Sequence, residues 1–260
     1  MLIDVHCHLT GDEYEEKGGV VAVLDRARRA GVGRFICSGY DLDSSLIACK
    51  LSETYDDVYF SAGFHPSDIE KCKDGDLEKL KALLSHEKCV AVGEIGLDYH
   101  FEDNPAPVKQ KAMFLEQIKL ASEAKIPIVV HSRDACQDTI ELLKEHAALL
   151  KNGGLMHCYS YSKECVAEFE KLGFYFSFGG TVTFKNAKKV QQSALAVGRD
   201  RILSETDCPY LSPEPLRGRF PNEPQNVKHT VEFLSALRED EGLEEQIYQN
   251  ANKLFFRMRG

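Results

Sequence analysis

The sequence predicts a single-domain α/β protein, a (β/α)8 TIM barrel, on three observations. Short apolar runs alternate with amphipathic segments along the chain, and such alternation builds a parallel sheet with helical crossovers. Eight units in about 210 residues fit closure into a barrel, the open doubly wound sheet being the competing arrangement. Chemically distinctive residues fall near the ends of the runs, and barrel enzymes carry their active sites at the C-terminal ends of their strands. No linker-like shift in composition interrupts residues 1–260, which are read as one domain.

The first strand holds Val5-His6-Cys7-His8. Strand side chains alternate faces, so His6 and His8 point one way and Cys7 the other. Two imidazoles on one face suit a divalent cation, although packing or surface roles are commoner for such a pair. Asp4 shares their parity and is expected to accept a ring N–H from below. Residues 20–30 have helical spacing and stop at Gly31. Residues 34–40 are a short apolar run of buried-strand length, and 43–54 resume the helical pattern. The third strand, 58–66, ends in His65-Pro66, and helix 76–86 follows. The fourth strand, 89–98, contains Glu94, and a long helix opens near Pro107 and runs over 105–124. The fifth strand, 126–134, carries His131 and leads into helix 135–150. The sixth, 155–160, carries His157, with helix 162–172 behind it. The seventh, 174–180, finishes in Gly-Gly before helix 186–197. The eighth, 202–211, carries Glu205 and Asp207. A loop rich in Pro, Gly and Arg occupies 212–224, and helices near 226–238 and 243–258 close the chain.

Composition excludes several classes. No stretch approaches 18 uninterrupted apolar residues, so no membrane span is expected. Residues 1–30 lack the basic-then-apolar pattern of a secretory signal. Nine cysteines without CxxC spacing read as reduced thiols in a cytoplasmic or nuclear protein. A net charge of −9 argues against a long, sequence-indifferent grip on duplex DNA, which needs many cationic phosphate contacts. A phosphate-bearing substrate stays open, since bound cations can supply positive charge locally.

Candidate ligands therefore sit on five strands: His6 and His8, Glu94, His131, His157 and Asp207. An isolated histidine at a strand end is usually packed or hydrogen-bonded, but five such strand ends converging on one rim would form a cavity of donors. Four imidazoles and two carboxylates exceed one tetrahedral ion and suit two, with Glu94 placed to bridge them.

The motifs D-V-H-C-H-L at 4–9, G-F-H-P at 63–66, G-E-I-G-L-D at 93–98, H-S-R-D-A at 131–135, H-C-Y-S at 157–160, E-T-D-C-P-Y-L at 205–211 and R-G-R-F-P-N-E-P at 217–224 stand in this order. In them the chain resembles the TatD family of metal-dependent deoxyribonucleases, within the amidohydrolase-like superfamily. The resemblance implies that His6, His8, Glu94, His131, His157 and Asp207 are metal ligands, that His65 lies at the substrate end of the pocket, and that Mg²⁺ or Mn²⁺ is the activator. Imidazole-rich donors favour Zn²⁺ on general affinity order. Cys208 departs from the family pattern, as does the extra Phe220-Pro221, a change bearing on the substrate-facing loop.

The expected chemistry is phosphodiester hydrolysis of DNA, as a 3′ exonuclease on single-stranded ends. Two cations would ready a water for attack, with Asp207 taking its proton and Glu94 bridging. Arg133, Arg217 and Arg219 are candidate phosphate clamps. Tyr99 and Tyr159 are candidates for base stacking, with plain packing the commoner role. Cys7, Cys37, Cys158 and Cys208 read as small buried apolar residues, and Asn250 and Phe255 as structural. Two other function classes fit the same residues: an ester or amide hydrolase such as a D-aminoacyl-tRNA deacylase, and a non-catalytic metal-binding module. No obligate protein partner is evident.

Overall fold

The computed structural model describes residues 1–259. Eight parallel strands form one sheet in chain order: β1 Leu2–Cys7, β2 Val32–Ser38, β3 Val58–Ala62, β4 Cys89–Asp98, β5 Ile128–Arg133, β6 Gly154–Met156, β7 Phe174–Phe178 and β8 Ile202–Ser204. Helices α1 Gly19–Arg29, α2 Leu42–Thr54, α3 Asp76–Leu83, α4 Pro107–Ala124, α5 Cys136–Glu145, α6 Lys163–Lys171 and α7 Lys188–Ala196 connect successive strands. Two more, α8 Val227–Arg238 and α9 Leu243–Leu254, follow β8. The result is a nearly closed TIM barrel. Every residue of β1, β4 and β7 is buried, as expected for strands covered by side chains within and helices without.

Closure does not use a regular β8–β1 ladder. Asp207 N–H donates to the His6 carbonyl at 3.0 Å, and His8 N–H donates to the Cys208 carbonyl at 2.7 Å. Below them the buried Asp4 carboxylate accepts from the Thr206 N–H (2.9 Å) and hydroxyl (2.5 Å). Helix α9 covers this seam by packing on β1 and β8. Its buried Asn250 donates to the Arg199 and Ile202 carbonyls at 3.0 and 2.9 Å, and Phe255 is fully buried.

Several strands are shorter than their expected runs: β3 ends at Ala62, so His65 lies past it, and β5, β6, β7 and β8 are shortened as well. β6 stops at Met156 because Cys158 takes φ +44°, and β8 stops at Ser204 ahead of Asp207 at φ +53° and Leu211 at φ +56°. Left-handed backbone cannot continue a ladder. His157 and Asp207 thus lie in loops just past their strands. The expected helix over 135–150 is α5 followed by a separate 3-10 turn, Ala147–Leu149.

Helix α4 fixes the rim of the barrel. Gln110 and Gln117, seven residues apart, share a face of the helix. Gln117 accepts from Phe64 N–H (2.7 Å) and donates to the Phe64 carbonyl (3.0 Å). Gln110 accepts from Asp98 N–H and donates to the Asp98 carbonyl, both at 2.8 Å. Each amide holds one backbone segment at the strand-end face. Among the described residues no helix is long and apolar enough to cross a membrane.

Candidate metal centre

His6 is the penultimate residue of β1, and His8 follows its end. Glu94 sits within β4, where close approach to β5 requires glycine: a Cβ on Gly96, at φ +144°, would lie 1.9 Å from the His131 carbonyl oxygen. Asp207 holds a left-handed conformation that costs a non-glycine residue about 1–3 kcal/mol. Its N–H bond to His6 and its carbonyl, which accepts from Tyr210 N–H at 3.0 Å, keep it there.

These side chains meet in two nests sharing Glu94. Glu94 Oε2 lies 3.3 Å from His6 Nε2 and 3.5 Å from His8 Nε2, and Asp207 Oδ1 lies 3.6 and 3.4 Å from the same nitrogens. Glu94 Oε1 lies 2.8 Å from His131 Nδ1 and 2.9 Å from His157 Nε2. His6, His8 and Asp207 form one group with metal-ligand spacing, and Glu94, His131 and His157 another.

The outward ring nitrogens decide which lone pairs face inward. His8 Nδ1 lies 3.0 Å from the Ser38 carbonyl, and His6 Nδ1 lies 3.1 Å from the Ser38 hydroxyl. His131 Nε2 faces Asp98 Oδ2 at 3.0 Å. His157 Nδ1 faces Glu205 Oε1 at 3.5 Å and makes no formed hydrogen bond. A neutral imidazole whose outward nitrogen donates to an acceptor presents a bare nitrogen on the other side. For His8 and His131 that bare nitrogen faces Glu94 or Asp207. This donor chemistry fits divalent cations of the kind bound by imidazole and carboxylate.

His65 differs from the other four. Its Nδ1 accepts from Ser67 N–H at 3.2 Å, so the neutral ring carries its proton on Nε2, 3.5 Å from Glu94 Oε1. It packs edge-on against His131, ring centroids 4.3 Å apart. His65 therefore presents a donor to the centre and not a lone pair.

Charge balance follows from this packing. Burial alone would lower His8, but the Asp207 hydrogen bond and the Glu94 charge outweigh it and raise its pKa to about 9. Burial also opposes charge on His131 and His157, yet the hydrogen bonds of Asp98 and Glu94 lift the first, and the charges of Glu94 and Glu205 lift the second. Burial and the His157 charge push His6 down, while burial and the His131 charge push His65 down to about 3. Burial would raise Glu94 and Asp207, but the surrounding imidazoles overcome it and hold both carboxylates low. Protons on His8, His131 and His157 thus occupy positions that a cation would take.

Several expected roles fall differently. Asp4 is not a partner of the imidazole rings: it closes the β8–β1 seam and accepts from the His6 backbone N–H at 3.4 Å. The ring-orienting role belongs to Ser38, Asp98 and Glu205. Of these, Glu205 is fully buried and accepts from Cys158 N–H (2.7 Å) and the Ser177 hydroxyl (2.5 Å). The motifs G-E-I-G-L-D and E-T-D contained Asp98 and Glu205, but nothing in the sequence said which histidine each would face. Arg133 and Arg217 lie outside the nests, exposed, 5.0 Å from the Phe101 ring centre and 4.1 Å from that of Phe184. Tyr99 donates to Asp138 (2.8 Å), and Tyr159 is buried among aromatic rings with its hydroxyl on the Ser162 carbonyl (3.0 Å), so both serve packing. Cys208 is buried beside Cys7 and Tyr14, away from the imidazole face. Among the described residues all nine cysteines are free. Two further groups with metal-ligand spacing, His6–His157–Glu205 and His65–Asp98–His131, overlap the centre, and one, Cys49, Glu53 and His86, lies apart from it. There, His86 Nδ1 accepts from Lys88 N–H at 3.1 Å, which places a neutral ring's proton on the nitrogen facing Glu53.

Residues 3–256 match the family model described as TatD related DNase. The metal-dependent hydrolase YabD of Bacillus subtilis, itself uncharacterised, is 42% identical over 257 residues, covering 98% of this chain and 99% of that protein. The uncharacterised metal-dependent hydrolase YcfH of Escherichia coli K12 is 37% identical over 238 residues, 91% of this chain and 88% of its own. The crystal structure of YjjV, a TatD homologue from Escherichia coli K12, superposes with a TM-score of 0.91 at 32% identity, covering 98% of each chain. Sequence, architecture and the imidazole–carboxylate centre agree: the chain belongs to the TatD-related DNase family and is a metal-dependent hydrolase.

Proposed function

We propose that this chain hydrolyses phosphodiester bonds of DNA, shortening single strands from their 3′ ends, with two divalent cations (Mg²⁺, Mn²⁺ or Zn²⁺) at its centre. The observation that carries the reading is Glu94, whose two oxygens each face a different imidazole nest. A carboxylate so placed suits a cation pair, and such pairs serve in-line displacement at phosphorus. His6, His8 and Asp207 would hold one ion, His131 and His157 the other, and Glu94 both. When bound, such ions acidify water and offset charge on phosphoryl oxygens.

The remaining work falls to side chains. Asp207 takes the proton of the attacking water, and it is the more exposed of the two carboxylates, 14% against 5% for Glu94. His65 donates from Nε2 to a non-bridging phosphoryl oxygen, its Nδ1 being fixed as an acceptor by Ser67. Arg133 and Arg217, exposed at the mouth, grip flanking phosphates, a task that the guanidinium fork performs bidentately. A chain end enters a recessed barrel mouth more readily than a continuous duplex, and a net charge of −9 gives little general grip on duplex DNA. The free cysteines suit a reducing compartment such as the cytoplasm.

The test is a side-by-side assay of metal-loaded protein on end-labelled single and double strands and on acylated tRNA. Products shortening from the 3′ end are expected, with Asp207→Asn slower by about 10²–10⁴-fold. Loss of the acyl group with the strands untouched would overturn the reading in favour of a deacylase.

A further inference from the structure

Beside the metal centre the barrel mouth exposes aromatic rings on backbone that is firmly held. Tyr210 and Phe220 are 53% and 61% exposed, with ring centroids 6.4 Å apart and a mutual tilt of 41°. The segments bearing them are joined by the fully buried Asn222, whose Nδ2 donates to the Thr206 carbonyl (3.2 Å) and the Tyr210 carbonyl (2.7 Å). Asn222 N–H also donates to the Pro209 carbonyl at 2.8 Å. Tyr210 in turn bonds back to Asp207, so the ring pair is registered to the reacting end of the site. Large exposed rings on a rigid support mark a surface meant to be covered. The charged groups acting on Tyr210 are the carboxylates Glu13, Asp207 and Glu94, the last two belonging to the metal centre; Arg217, in the same loop as Phe220, lies against Phe184. Exposed aromatic faces beside a centre for phosphodiester cleavage match an unpaired strand, whose bases offer flat faces. A paired base keeps its faces inside the stack.

We propose that Tyr210 and Phe220 form a stacking platform for an unpaired base next to the cleaved phosphate, and that this platform selects single-stranded over duplex nucleic acid. The inference rests on the phosphodiesterase reading and narrows it to a base-contacting residue pair. Its test uses the metal-loaded full-length protein and a Tyr210→Ala/Phe220→Ala variant of matched circular dichroism and metal content. Binding of a fluorescein-labelled single strand is read by anisotropy, and cleavage is compared on strands with normal and abasic terminal nucleotides. Stacking of one base predicts binding weaker by about 5- to 150-fold in the variant. It also predicts that the wild-type preference for base-bearing over abasic ends collapses toward unity, and that Tyr210→Phe/Phe220→Tyr restores both. Unchanged affinity and unchanged preference in the alanine variant overturn the platform while leaving strand cleavage intact. Strand binding that depends on the rings, without any cleavage by wild-type protein, overturns the phosphodiesterase reading and sustains the platform. Wild-type protein that neither binds nor cleaves the strand overturns both.

Discussion

Glu205 shows what strand patterning can and cannot reveal about a residue. Its position two before Asp207 in E-T-D marks it as belonging to a strand end, yet the backbone turn at Cys158 is what places it behind His157. The six proposed ligands were legible because their residue types are rare at strand ends. Ser38 was not, because a serine carries no such signature and its carbonyl does half the work. Outer partners that orient a ligating imidazole typically account for 10–100-fold in metal affinity. Glu205→Gln keeps the volume and an acceptor oxygen but removes the charge facing His157 Nδ1. Competition against a fluorescent chelator is expected to show affinity reduced by about 10–100-fold, with secondary structure unchanged. An affinity equal to wild type would make Glu205 a purely structural group for Cys158 and Ser177.

At the level of elements, alternation gave the order and parallel direction of all eight strands, but overran the ends of several, β3, β6 and β8 most of all. Apolar runs report burial, and burial continues past the strand ends at His157, Tyr159, Glu205, Thr206 and Cys208. Positive φ at Cys158 and Asp207 has no signal in residues that ordinarily avoid it. Helix α4 supplies a second case. Its apolar stripe was visible, whereas Gln110 and Gln117 on the buried side are polar and act as clamps for backbone at the rim. Gln117→Leu is nearly matched in size and leaves the Phe64 N–H and carbonyl without their partner. Each unsatisfied buried group costs about 1–3 kcal/mol, so a loss of about 2–6 kcal/mol in urea unfolding is expected. The neighbouring His65 would also lose its fixed position, so catalytic activity should fall in the population that remains folded. Wild-type stability in this variant would mean that the Phe64 backbone finds other partners.

The whole molecule joins its fold to its charge: the seam between the first and last strands is closed beside the same imidazoles and carboxylates that form the centre. Stability must therefore depend on what neutralises Glu94 and Asp207. In the metal-free protein, His8 has a pKa near 9 against 6.5 for an unperturbed ring, and His131 and His157 are raised as well. A group whose folded pKa is raised stabilises fully below its unfolded value and loses that contribution as pH climbs through the folded one. The metal-free protein should then lose melting temperature between pH 6.5 and 9. His6 and His65 are shifted the other way, so their contribution rises only as pH climbs through the unfolded value near 6.5 and is flat above it. Cation binding has the opposite sign, because imidazole coordinates only after losing its proton, and the stabilisation grows with affinity. The melting-temperature gain on adding Zn²⁺ or Mn²⁺ should consequently be larger at pH 9 than at pH 6.5. Differential scanning calorimetry with and without chelator, at both pH values, measures this directly. A metal-free melting temperature that stays level or rises over the range would show that protons on these histidines do not hold the centre together.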